Sequence, residues 1–157
     1  MKKIIIICAV LLLACGCKII DTPGGYICTK KPYGYLFKAV STNGCAFTVT
    51  ETTNEGNAEL ETWKEAAKNQ LTRGKGYQLL SEDKLETSKG SPGWEMVFAA
   101  NQSGLEYVYY VAVARWDRYW PEIWGIHKLY IIEAAGEKEY IEEDLAEIKR
   151  AARTLKY

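Results

Sequence analysis

The chain has 157 residues, 48% of them hydrophobic and 25% charged. That balance is ordinary for a globular protein, and the length suits one domain with a sizeable core. Its 20 basic and 20 acidic residues cancel, so no basic surplus exists to hold a nucleic-acid backbone, and nucleic acid is not an expected partner.

Lys2 and Lys3 precede an apolar run from Ile4 to Leu13. The run is too short to span a bilayer, which takes about 20 residues, but it suits the apolar region of a signal peptide. Leu12-Leu13-Ala14-Cys15 then resembles the lipobox of a bacterial lipoprotein. In that motif a Leu stands three residues before, and a small residue just before, the Cys that is lipidated. Ala14-Cys15-Gly16-Cys17 is a second register. The expectation is a signal peptide over residues 1–14 and a lipidated Cys15, with Cys17 as the alternative; an ordinary cleaved signal or a short membrane-buried segment is the plainer reading. The resemblance implies a diacyl or triacyl N-terminus, palmitate included, which holds a membrane more firmly than one myristoyl chain. It places the protein outside the cytoplasm, lipid-anchored at the cell membrane or the outer membrane. Gly16 is not the Asp that commonly retains such proteins at an inner membrane, so in a two-membrane cell an anchor at Cys15 leans towards the outer one.

The anchor changes the cysteine arithmetic. With Cys15 lipidated, Cys17, Cys28 and Cys45 remain; with Cys17 lipidated, only Cys28 and Cys45 remain. The compartment would be oxidising, so Cys28 and Cys45 are the candidate disulfide, with two buried or free thiols as the other reading.

Residues 15–32 read as a lipidated N-terminus and tether, because DTPGGY has turn formers and little periodicity. A single domain over 33–157 follows. Tyr33 to Val40 and Cys45 to Thr52 are predicted strands joined at Asn43-Gly44, a hairpin signal. Leu60, Trp63, Ala67 and Leu71 share one face of a helix over about 58–73, ended by Gly74 and Gly76. Tyr77 to Glu86 is a strand with an irregular middle, and 88–93 a turn. Trp94 to Ala100 alternates as a strand. Leu105 to Trp116 is the clearest element: Leu105, Tyr107, Tyr109, Val111 and Val113 lie on one face, with Val108, Tyr110, Ala112 and Ala114 on the other. Both faces are apolar, so both should be covered, and the smaller residues mark where a helix packs closely. Lys128 to Ala135 is the last strand. Gly136 breaks the chain before a helix over 137–155, whose acidic start and basic end complement the helix dipole.

The order ββ–α–ββββ–α, with short connections among its last four strands, predicts an α+β fold. It is an antiparallel sheet of about six strands covered by two amphipathic helices, an α/β/α sandwich. Thr62-Trp63-Lys64-Glu65-Ala66-Ala67, Gly76-Tyr77, the run YVYYVAVAR and the junction LYIIEAAGEKEY carry a resemblance to the PsbP-like fold. That sandwich is shared by the photosystem II protein PsbP, the Ran-binding Mog protein and many bacterial lipoproteins. The resemblance covers roughly 33–157 and implies a binding or assembly-assisting role; it places no functional residue.

Catalytic constellations are weak. His127 is the only histidine, and no G-x-S-x-G elbow or phosphate loop is present. One histidine and spread cysteines do not form a zinc set, and the acidic run 137–144 reads as a solvated helix start. No metal, no cofactor and no enzymatic activity are therefore expected. Glu95, Glu106, Asp117, Glu122 and Glu133 lie near the sheet, where a carboxylate pair for glycoside hydrolysis could be drawn; Glu133 is expected to pair with Arg115 or Arg118 instead. The sharp feature is Trp116 to Trp124, with three of the five tryptophans. Trp116, Arg118, Tyr119, Trp120 and Trp124 combine aromatic faces with hydrogen-bonding groups, which suits a protein hot spot, a sugar ring or a membrane interface. A local mini-core capping the sheet is the plainer reading. The function expected is a lipid-anchored, non-enzymatic binding or assembly factor of the envelope, with a carbohydrate- or peptidoglycan-binding lipoprotein as the alternative.

Overall fold

The computed structural model describes residues 19–54, 56, 58–117 and 127–156. The lipidation positions Cys15 and Cys17 lie outside them. In chain order the elements are β1 (Tyr26–Cys28), β2 (Tyr35–Ser41), β3 (Ala46–Thr53), α1 (Leu60–Asn69), β4 (Gln78–Glu86), β5 (Pro92–Gln102), β6 (Leu105–Asp117), β7 (His127–Glu137) and α2 (Lys138–Arg153). All seven strands form one sheet in the order β1-β2-β3-β7-β6-β5-β4, and every neighbouring pair is antiparallel. The α+β class with two helices holds, with seven strands rather than about six.

The additional strand is β1, which falls in the stretch expected to be a tether. Ile20 is fully buried and Tyr26 nearly so. The Lys156 N–H donates to the Ile19 carbonyl at 2.6 Å, and the Asp21 N–H donates to Thr154 Oγ1 at 2.9 Å. Residues 19–26 therefore already belong to the body of the protein, strapped to the C-terminal end of α2.

The helices lie on opposite faces of the sheet. Under α2, Val108, Tyr110, Ala112 and Ala114 of β6 pack with Ile141, Ile148, Ala151 and Ala152, together with Phe37, Phe47, Val49 and Ile132. The small residues of β6 face this helix, as their size predicts. Under α1, Leu60, Trp63, Ala67 and Leu71 meet Met96, Phe98, Val111, Val113 and Leu129. Leu71 belongs to a π-helical turn, Gln70–Gly74, that continues α1. The Lys75 N–H closes it on the Gln70 carbonyl at 3.1 Å.

An ion cluster fastens α1 to the sheet's edge. Lys64 and Lys68 reach Glu82 of β4 at 2.9 and 2.8 Å. The hydrogen bonds from Lys68 and then Lys64 hold the Glu82 carboxyl below its usual range. A depressed carboxyl contributes stability that is complete above the unfolded value of about 4.3 and is lost as pH falls through the lower folded value. Acid titration followed by tryptophan fluorescence should show a transition below about pH 4 that Glu82→Gln removes. An unchanged profile in that variant would discard the clamp.

Two glycines are explained by close approach. A Cβ on Gly136 would lie 2.4 Å from Cys45 Sγ. Gly136 does not break the chain; it continues β7 opposite Val108, and its missing side chain leaves room for the Cys45 thiol. Pro92 and Gly93, expected in a turn, open β5, and a Cβ on Gly93 would lie 2.3 Å from the Val113 carbonyl oxygen.

Candidate functional site

The end of the sheet where β6 stops and β7 starts gathers the tryptophans. Trp116 lies opposite Lys128 at the last turns of the β6–β7 ladder and packs, half-buried, against the α2-side core. Thr53 of β3 is opposite the same Lys128. The next residue, Asn54, is buried and accepts the Trp63 indole N–H at 2.8 Å, while its own amide donates to the Ala58 carbonyl at 2.9 Å. Trp94 faces Val113 in the β5–β6 ladder; its buried indole N–H has no acceptor among the described residues. Trp63 and Trp94 belong to the α1-side core and Trp116 to the α2 side, so the three stand towards the same end of the sheet but on opposite faces. Arg118, Tyr119, Trp120 and Trp124 lie outside the described residues. Trp63 and Trp94 were not singled out as site residues from the sequence, because each fits its own element as a core position.

A second feature lies on the α1 side of the sheet. The cluster under α1 contains no described residue of β1, β2 or β3, so this layer covers only part of the face. Beyond it, Lys38, Val40, Thr48 and Thr50 are half-buried. Thr48 stands opposite Glu133 of β7, and Lys38 opposite Thr48. Glu133 accepts a short hydrogen bond from the Tyr109 hydroxyl; Arg118, one of the two arginines expected for it, lies outside the described residues. Tyr109 meets Tyr77 edge to face with ring centroids 5.9 Å apart. The Lys75 ammonium lies 5.7 Å from the Tyr77 ring centroid and 6.0 Å from that of Tyr109, within cation–π range. Burial, followed by the Glu133 hydrogen bond, pushes the Tyr109 phenol well above its ordinary pKa. The π-helical turn that ends α1 delivers Lys75 and Tyr77 to this spot; such turns recur at functional sites.

Among the described residues, Glu95, Glu106 and Glu133 do not converge into an acid pair; Glu122 and the Asp117 side chain lie outside them. Glu95 projects to the α2 side, where it accepts from Tyr110 at 2.9 Å and from Arg153 at 3.0 Å, with Lys149 at 3.6 Å. Glu133 lies on the other face, and Glu106 is exposed and paired with Lys138 at 3.1 Å. Among the described residues no three metal-ligating side chains come together. No described helix is long and apolar enough to cross a membrane.

The expected Cys28–Cys45 bridge is not formed. Cys28 is exposed and Cys45 buried, both as thiols. Cys28 stands opposite Ala39, and Ala39 opposite Phe47. Two strand spacings, about 9.5 Å, therefore separate β1 from the strand that follows Cys45, beyond the roughly 7 Å that a disulfide spans.

No family model matches the sequence, and no curated protein matches it. Solved structures do match. The chain is similar in fold to LpqN. The structure of that protein is described as LpqN involved in cell envelope biogenesis of Mycobacterium tuberculosis. The likeness covers 85% of this chain and 78% of LpqN, with a TM-score of 0.69 and 9% sequence identity. At that identity it establishes the fold and nothing finer.

Proposed function

We propose that this protein is a lipid-anchored, non-enzymatic binding or assembly factor of the bacterial cell envelope, with a domain of the PsbP-like kind. Cys15, or Cys17 in the alternative register, carries the lipid. The partner is engaged at the tryptophan-bordered end of the sheet, through Trp116, Arg118, Tyr119, Trp120 and Trp124. The observation that carries the binding role is that Trp116, half-buried, stands next to the end of the β6–β7 ladder, at the strand ends that lead into 118–126. Tryptophan is the residue most enriched at interface hot spots. The lipobox-like sequence supports the anchor, and the fold shared with a protein of envelope biogenesis supports the compartment.

The test is crosslinking of the lipidated protein in its own cells, with mass spectrometry and a Trp120→Ala/Trp124→Ala variant alongside. One dominant protein partner, lost in a variant that keeps its stability, is expected. A partner unaffected by the variant removes the role from this end of the molecule. A chain unfolded by the two changes assigns those tryptophans to packing. Absence of any protein partner, with fluorescence quenched by saccharides, turns the reading to a glycan.

A further inference from the structure

The first described residues limit how a lipid-anchored domain can meet a membrane. This inference rests on the lipid anchor proposed above. Only a few residues separate the anchor from Ile19, which is already tied to the folded body. A chain extends at most about 3.5 Å per residue. Ile19 can therefore lie no further than about 14 Å from a lipidated Cys15, or about 7 Å from a lipidated Cys17. A headgroup layer is about 5–8 Å deep, so such a tether holds Ile19 within about one loop's reach of it, and the surface around Ile19 is the one kept nearest the bilayer.

The hairpin of β1 and β2 is the surface nearest this point. Ile19 borders the same shallow depression as Cys28, Thr29, Lys31 and Lys38. Residues 27–34 are all exposed, Ile27 at 66% and Tyr33 completely. The stretch reads Ile27-Cys28-Thr29-Lys30-Lys31-Pro32-Tyr33-Gly34 and holds two lysines and no acid. Neither lysine has a carboxylate partner among the described residues, and Lys31 reaches only the Leu36 carbonyl, at 3.4 Å. An apolar side chain, a tyrosine and two uncommitted ammonium groups match the membrane interface. Tyrosine favours the headgroup level, and lysines are drawn to anionic lipid.

We propose that residues 27–34 are the surface on which the domain rests against anionic phospholipid headgroups. β1 is an edge strand. With that edge down, the sheet stands away from the bilayer and β4 is its distal edge, about 29 Å off at ordinary strand spacing.

The test is hydroxyl-radical footprinting of the lipidated full chain on phosphatidylglycerol-containing vesicles, against an unlipidated Cys15→Ser/Cys17→Ser chain in solution. Tyr33 oxidation should fall several-fold on the vesicles, while Tyr140 on α2 is unchanged. The variant Ile27→Glu/Lys30→Glu/Lys31→Glu, held on the vesicle by its lipid, should regain Tyr33 oxidation. Equal oxidation of Tyr33 in the two states, in a chain whose mass shows the acyl groups, overturns this inference and leaves the anchor standing. A processed chain without acyl groups overturns both. Protection of Tyr33 already present in the unlipidated chain assigns the edge to a second copy and overturns the membrane contact.

Discussion

Glu95→Ala should lower the unfolding free energy by about 3 kcal/mol, measured as a shift in the urea midpoint. Glu95 is 1% exposed and serves three donors at once: the Tyr110 hydroxyl at 2.9 Å, Arg153 at 3.0 Å and Lys149 at 3.6 Å. Removing it leaves a fully buried phenol without an acceptor, which costs about 1–3 kcal/mol by itself. It also takes a counter-charge from Arg153 and from Lys149, which keeps Asp83 at 3.6 Å, and opens a void. The cations are partly exposed, so water relieves some of their loss, and the total stays below that of a wholly buried pair. Glu95→Gln keeps an oxygen for Tyr110 and should lose about half as much. Both variants falling within about 0.5 kcal/mol of the parent would show that the network does not hold α2 to the sheet.

Gly93→Ala should cost about 3 kcal/mol, the upper range for overpacking. The new Cβ would meet the Val113 oxygen at 2.3 Å and the Ala114 Cα at 3.2 Å. Those are backbone atoms of β6, which is hydrogen-bonded on both sides, so they cannot yield without opening a ladder. Gly74→Ala is the control, since its nearest neighbour would be a side-chain carbon at 4.0 Å. It should change stability by less than about 1 kcal/mol, in the stabilising direction. Equal effects of the two changes would sink the explanation.

Much of the fold was legible because it is written in local periodicity. The two faces of β6 could be separated by parity alone, and the size of Ala112 and Ala114 told that a helix would lie closely over their face. The spacing of Leu60, Trp63, Ala67 and Leu71 likewise found the α1 face. β1 escaped because three residues, two of them exposed, carry no period; only Ile20 and Tyr26, isolated among turn formers, hinted that the chain was already inside the body. Gly136 looked like a breaker, and its true cause, the thiol of Cys45, lies far away in sequence. Glu133 stood out as a carboxyl in an apolar strand, but Tyr109, a better-placed donor from the neighbouring strand, was hidden until the register was known. In the candidate site, Trp116 to Trp124 was visible as a cluster. That Trp63 and Trp94 stand towards the same end of the sheet was not, because it depends on where the elements end in space.

The strand order carries a consequence for synthesis and export. β7 sits between β3 and β6, so the chain's first three strands and its three-strand meander β4–β6 have no ladder joining them until the last strand arrives. Pairings so distant along the chain are slow to form. A nascent chain that has not yet released residues 127–137 holds two half-sheets, each with an open edge awaiting the same partner. Such a molecule cannot close early. On the exported, lipid-anchored reading proposed above, it would stay threadable until its C-terminal end had crossed.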